Sequence, residues 1–294
     1  MAQDNSNVTA KNPDLIPRLA VAIIGVPLLI SLAVFGPNWA LWLAVLLAGS
    51  IGAWEFLRMT LQRDFRTDGR IALIVTVGTL AAIYWLEDPF YIAITIFAST
   101  VAMLSAAMFN MRTHQDALTR IGGMFTSYTY IVVLLGAYTY LIKASALQEG
   151  ASIHAPAPYQ AGWFLLPMFI VWGGDTGAYF TGRAIGKHKL APHISPAKSW
   201  EGAVGGLVAS VLGAFIASWL IPLPPIAPWL LIAMAIPAAI LGQIGDLCMS
   251  LVKRATGFKD SSSILYGHGG MLDRIDALLF ASPWIWIARE LWLM

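Results

Sequence analysis

Charge is what this chain lacks: only 12% of its 294 residues are Asp, Glu, Lys or Arg, against about 25% in an ordinary soluble domain. Cysteine is nearly absent too. Cys248 stands alone, so no disulfide forms within the chain, and a disulfide-stapled secreted scaffold is excluded. A formal net charge of +2 removes the strongly basic balance of a nucleic-acid binder. No fixed-period repeat or low-complexity tract is visible. Apolar residues are abundant, at 58% with a mean hydropathy of +0.69. That rules out disorder and points to a polytopic membrane protein.

A hydrocarbon core about 30 Å thick takes about 20 mostly apolar residues per helix. Stretches of this kind run over roughly 19–35, 39–57, 71–86, 89–108, 122–142, 161–182, 203–221, 229–248 and 275–293, which predicts an all-α chain of about nine transmembrane helices. Gly36-Pro37-Asn38, Glu87-Asp88-Pro89 and the prolines from Pro222 to Pro228 separate them, as turn chemistry requires. Three portions follow: residues 1–142 with about five helices, an Ala- and Pro-rich outer loop over 143–160, and a polar-residue-bearing region of about four helices over 161–294. The first sixteen residues are polar and lack the basic start of a secretory signal; the first helix therefore reads as an uncleaved anchor.

With the amino terminus in the cytoplasm, all but two of the 18 Lys and Arg residues fall on inner segments, from Lys11 and Arg18 through Arg58, Arg70, Arg112, Arg120 and Arg183 to Arg274. Only Lys143 and Arg289 remain outside, a strong asymmetry under the positive-inside rule. Trp39, Trp85, Trp163, Trp219, Trp229 and Trp292 then gather at the outer interface as an aromatic belt.

An ionisable group at membrane depth costs about 3 kcal/mol or more and marks function by default. Of the 16 Asp and Glu residues, most lie in tails and loops. Asp175 within the sixth span, Asp246 near the inner end of the eighth, and Asp273 and Asp276 at the start of the ninth stand out, all expected at the cytoplasmic leaflet. Asp175 sits in Gly173-Gly174-Asp175-Thr176-Gly177, where glycines let either a second helix or a ligand approach closely. In Ser195-Pro196-Ala197-Lys198-Ser199-Trp200-Glu201-Gly202, Ser199 is a weak cap for the seventh helix. Lys198 beside the exposed amides is either an anion site or a topology signal.

Continuing the eighth helix past Asp246 places Ser250 and Lys253 on the same face. Asp273 and Asp276, three apart, share a face in a first turn, where the macrodipole by itself favours negative charge. Three carboxylates, Asp246, Asp273 and Asp276, near Lys253, Arg254, Lys259 and Arg274 also suit Mg²⁺, which takes oxygen ligands and bridges phosphates. Gly267-His268-Gly269-Gly270 reads as a turn whose amides cradle an anion. His268 is an acid–base candidate or an idle turn residue.

Ser250, Val252, Lys253, Arg254, Lys259, Asp260, His268, Gly269, Gly270, Asp273, Arg274, Ile275 and Asp276 fill, in register, the carboxy-terminal signature of the phosphatidate cytidylyltransferases, or CDP-diacylglycerol synthases. The chain resembles that family; its amino-terminal half matches only as a string of membrane helices. Tyr266 departs from the pattern, where many members carry Pro, which concerns the shape of the loop. The resemblance implies that CTP and phosphatidate yield CDP-diacylglycerol and pyrophosphate, at the cytoplasmic face of a bacterial inner membrane, with no nucleic acid as partner. It implies Asp246, Lys253 and Asp273 as catalytic, with Asp246 and Asp273 as cation ligands and Asp276 as a further one. Arg254, Lys259 and Arg274 would bind the triphosphate, Asp175, Lys198 and Ser199 the lipid-phosphate side, and His268 would be optional. One or two Mg²⁺ ions are implied; a second, monovalent ion and a homodimer stay open. A CTP-dependent lipid-alcohol kinase and a secondary transporter are the rival readings.

Overall fold

A backbone in hydrocarbon must satisfy its own N–H and C=O groups, and each long apolar run does so by becoming a helix. The computed structural model describes residues 15–86, 88–110, 117–148, 159–265 and 269–293. In chain order the helices are α1 (Leu15–Phe35), α2 (Asn38–Leu61), α3 (Asp68–Trp85), α4 (Pro89–Asn110), α5 (Ala117–Tyr128), α6 (Gly136–Gln148), α7 (Gln160–Ile185), α8 (Trp200–Leu220), α9 (Pro228–Thr256) and α10 (Leu272–Leu293). α5 and α6 are one rod, joined by a wider π-helical stretch over Thr129–Leu135. Lys11, Arg112, His268 and most of the 143–160 loop lie outside the described residues.

Six of these rods, among the described residues, are long and apolar enough to cross a membrane: α2, α3, α4, α5 through α6, α8 and α9. α7 and α10, which carry ionisable groups, fall short of that mark, and in α1 the apolar stretch with described side chains is Ile24–Phe35. Ile24, Phe97, Phe109, Leu212 and Trp219 are exposed on the rods. Such a continuous apolar skin marks a surface meant for lipid. The chain is a helical membrane protein.

One departure from an all-α chain is a two-stranded antiparallel hairpin, β1 (Lys189–Ala191) with β2 (Ser195–Ser199), between α7 and α8. Pro196 is tolerated because a two-stranded ribbon has only edge strands. α8 begins where the Ser199 hydroxyl accepts the Gly202 N–H at 3.1 Å, an N-cap. Pro228 opens α9, where its missing N–H costs no helical bond. The main core draws on both halves of the chain, from Leu41 and Phe56 to Leu279 and Ile285.

The closest helix pair is α7 with α8, and its seam is made of small residues. A Cβ at Gly213 would strike the Phe169 carbonyl oxygen, a backbone atom that has no rotamer to escape into. Gly213→Ala is therefore expected to destabilise the protein by about 1–3 kcal/mol, the usual penalty of overpacking. The check is a thermal melt in detergent; an unmoved midpoint would mean the two helices stand apart.

The two cations that the topology rule leaves on the outer side are both buried. Lys143 is buried, and its ammonium donates to the carbonyl oxygens of Leu86 at 2.8 Å and Ile83 at 3.5 Å. It thereby caps α3, whose last carbonyls have no intrahelical partner. Arg289 is buried with its guanidinium 4.9 Å from the centre of the Trp163 ring, a cation–π contact. Trp163 consequently belongs to the core and not to the expected aromatic belt, whereas Trp39, Trp85, Trp219, Trp229 and Trp292 are exposed.

Candidate active site

The carboxyl end of α7, the hairpin, the start of α8, the carboxyl end of α9 and the start of α10 all meet at one end of the bundle. A cleft of about 550 Å³ opens there, lined by Asp175 and Tyr179 of α7, Lys198 and Ser199 of the hairpin, and Gln243 and Asp246 of α9, among others. The hairpin is pinned to α8. Glu201, in the first turn of α8, accepts from the amides of Lys187 at 3.1 Å and His188 at 3.2 Å, and lies 2.6 Å from the His188 ring Nδ1. That brace aims Lys198 into the cleft, where its ammonium donates to Asp246 Oδ2 at 2.6 Å. Ser250, one turn further along α9, donates to Asp246 Oδ1 at 3.4 Å, so the common face read from the spacing is present. Gln243, one turn the other way, fixes its amide on the Ala203 carbonyl at 3.1 Å.

Asp175, Asp246 and Asp276 come from three different helices and act electrostatically on one another, with Lys198 and Arg274 within reach of Asp175. Of the three, Asp175 and Asp246 line the cleft with Lys198. Asp273 is placed differently. Its Oδ1 accepts from the Lys253 ammonium at 2.6 Å, and its Oδ2 accepts from the Ser261 amide at 2.9 Å, the Ser261 hydroxyl at 2.9 Å and the Gly270 amide at 3.0 Å. Asp273 and Asp246 thus each accept at both carboxylate oxygens, Asp246 from Lys198 and Ser250. Lys253 faces Asp273 and not Asp246. Arg254 and Lys259 are exposed, and neither side chain makes a hydrogen bond or ion pair among the described residues. Arg274 is exposed at the start of α10, and His268 lies outside the described residues.

No three Asp, Glu, His or Cys side chains, among the described residues, converge as a closed metal cage requires. The hard oxygens nearby are those of Asp175, Asp246, Asp273 and Asp276. Such a set fits Mg²⁺, which typically takes one or two carboxylates and leaves its remaining positions to water and phosphate oxygens.

Sequence reasoning passed over Glu55. It lies in the second apolar run, is fully buried, and accepts hydrogen bonds from Ser261, Ser262, Met271 and Leu272. The rule that flags Asp175, an acid inside an apolar span, flags Glu55 equally. Glu201 and Gln243 carried no such signal, since their roles depend on the hairpin and on how α8 crosses α9.

A helical membrane protein with a charged cleft sunk into one end of its bundle, acids and lysine side by side, belongs to the class of membrane enzymes that handle phosphorylated substrates at an interface. Comparison with known proteins makes this particular. The profile of the cytidylyltransferase family matches residues 16–292, and the chain belongs to that family. It is similar to the phosphatidate cytidylyltransferase of Pseudomonas aeruginosa, with 34% identity over 90% of this chain and 93% of the relative. It is similar also to the phosphatidate cytidylyltransferase of Staphylococcus haemolyticus, with 30% identity over 90% and 95%. The protein of that name from Haemophilus influenzae is 42% identical over 54% of this chain and 57% of its own length.

Proposed function

We propose that this chain is a phosphatidate cytidylyltransferase acting at the cytoplasmic face of a bacterial inner membrane. The observation that carries the reading is the cleft in which Lys198 meets Asp246 beside Asp175, in a chain whose full-length relatives bear that name. A nucleotide triphosphate needs cationic partners, and phosphatidate needs a site that its headgroup reaches while its acyl chains stay in lipid. A cleft at the end of an apolar bundle serves both. The charge asymmetry of the loops supports a cytoplasmic position for this end, and the reading counts α1, α7 and α10 with the six apolar rods as membrane helices.

In the reaction, an oxygen of the phosphatidate phosphate attacks the α-phosphorus of CTP in line. A phosphorus–oxygen bond forms to the lipid, and the bond from the α-phosphorus to the bridging oxygen breaks. Pyrophosphate leaves with that electron pair. The attacking phosphate is already an anion, so positioning and charge neutralisation supply most of the catalysis and no strong general base is needed. Lys198, with Asp175 and Ser199, orients the lipid phosphate. Lys253, Arg254, Lys259 and Arg274 take up the charge of the triphosphate. Asp246 and Asp276 would hold Mg²⁺, which when bound neutralises charge on the phosphates. Asp273 serves chiefly by fixing Lys253. Nucleic acid has no part in this reaction.

Purified protein given phosphatidate, Mg²⁺ and CTP is expected to form CDP-diacylglycerol and pyrophosphate in equal amounts, and to stop when EDTA removes the divalent cation. Release of CDP with a phosphorylated lipid alcohol would overturn the reading in favour of a kinase. Turnover undiminished by EDTA would overturn the metal assignment.

A further inference from the structure

Lys259, Asp260, Gly269 and Gly270 of the signature lie between α9 and α10, and what holds that segment comes from the other half of the chain. Glu55 of α2 is 0% exposed. Its Oε1 accepts from the Ser262 hydroxyl at 2.5 Å and the Met271 amide at 3.0 Å. Its Oε2 accepts from the Leu272 amide at 2.7 Å and the Ser261 hydroxyl at 3.0 Å. One carboxylate therefore ties the beginning of the connecting segment, Ser261 and Ser262, to its end, Met271 and Leu272. A buried carboxylate is tolerable only when its lone pairs are filled this completely, and the amides at the start of α10 are a ready-made anion seat.

Three features show that the clamp bears on the site as well as on stability. The Ser261 amide donates to Asp273 Oδ2 at 2.9 Å, its one hydroxyl proton is shared between Glu55 Oε2 and Asp273 Oδ2, and Asp273 holds the Lys253 ammonium. Glu55 is thus one hydroxyl away from the Lys253 pair. Lys259 and Asp260 directly precede Ser261, so the clamp fixes the segment on which Lys259 is carried. Finally, a Cβ at Gly270 would lie 2.5 Å from Glu55 Oε1, so the glycine of the signature is the residue that lets Glu55 in.

We infer that Glu55 is a positioning residue for the triphosphate: by clamping both ends of the α9–α10 segment, it sets where Lys253 and Lys259 meet the nucleotide. This inference rests on the function proposed above, and it assigns a specific task to a helix from the amino-terminal half.

The test is steady-state kinetics of purified Glu55→Gln and Ser262→Ala with CTP and phosphatidate varied in turn. Glutamine keeps the size but replaces one acceptor oxygen by a donor facing other donors, so KM for CTP is expected to rise about tenfold. KM for phosphatidate should stay within about twofold, since Lys198 and Asp175 are untouched. Ser262→Ala, which removes one donor and leaves the carboxylate, should raise KM for CTP about threefold. A purely structural role would lower the amount of active enzyme, and so apparent kcat, with both KM values unchanged; that result, or equal rises in both, overturns the inference. If Glu55→Gln does not fold, Ser262→Ala decides by the same criterion. Wild-type protein that makes no CDP-diacylglycerol would instead defeat the proposed function, and so the two failures are distinguishable.

Discussion

Asp246→Asn is expected to cut CTP turnover by about 10² to 10³, the usual loss when a key electrostatic contact of the reacting groups is removed, while barely moving the melting temperature. The two halves of that expectation come from different observations. Turnover falls because Asp246 is the acid shared by the cleft's cation Lys198, by Ser250 and by the electrostatic group with Asp175 and Asp276. Stability holds because the Asp246 and Lys198 side chains remain 32% and 27% exposed, and a pair open to solvent contributes at most about 1 kcal/mol. Asparagine also keeps an oxygen to accept from Lys198. Pyrophosphate release and a melt in the same detergent measure both. Normal turnover in a folded Asp246→Asn protein would remove Asp246 from the chemistry.

Asp273→Asn should behave in the opposite way, losing stability as well as activity. The Asp273 and Lys253 side chains are only 10% and 13% exposed. Neutralising one member strands the other charge, at a cost of about 3 kcal/mol or more. The amides of Ser261 and Gly270 lose an anionic acceptor in the same step. A double-mutant cycle with Lys253→Met measures the coupling: if the pair is the main function of Asp273, removing both partners should cost less stability than the two single costs together. A folded Asp273→Asn protein with an unshifted melt and no turnover would point instead to direct cation ligation, the role the signature implies. The pair of variants therefore separates an acid that acts on the reactants from an acid that holds a lysine in place.

The sequence was most legible where the solvent dictates structure. Hydrocarbon forces helices on apolar runs, so the expected stretch at 39–57 appears as Asn38–Leu61 and that at 203–221 as Trp200–Leu220. Boundaries drifted where polarity rises, as in α9, which runs on to Thr256 because its last turns carry Ser250, Lys253 and Arg254 toward the site. The hairpin was not legible: strands of three and five residues with a proline leave no alternating pattern to read. Charge counting reads the sign of Lys143 and Arg289 but not their burial, so a helix cap and a ring contact counted only as outer-side charges. Spacing placed Asp246 and Ser250 on one face. It did not say which oxygens of Asp273 were free, because that depends on Ser261 and Gly270 folding back across a loop, and on Glu55 arriving from more than two hundred positions away.

The wide stretch over Thr129–Leu135 carries a consequence for how this rod tolerates change in length. A π turn accommodates an additional residue inside a helix without a loop, and each residue of an α-helix advances the chain by about 100°. Deleting one residue there would leave a regular α-helix still long enough for its place, but everything beyond it would swing out of phase. With the deletion after Tyr130, whose hydroxyl lies 3.5 Å from the carbonyl of Gly245 beside Asp246, that contact would stay while Lys143 would rotate off the end of α3. The irregularity thus acts as a gear offset, keeping one end of the rod engaged with the catalytic helices and the other with the scaffold.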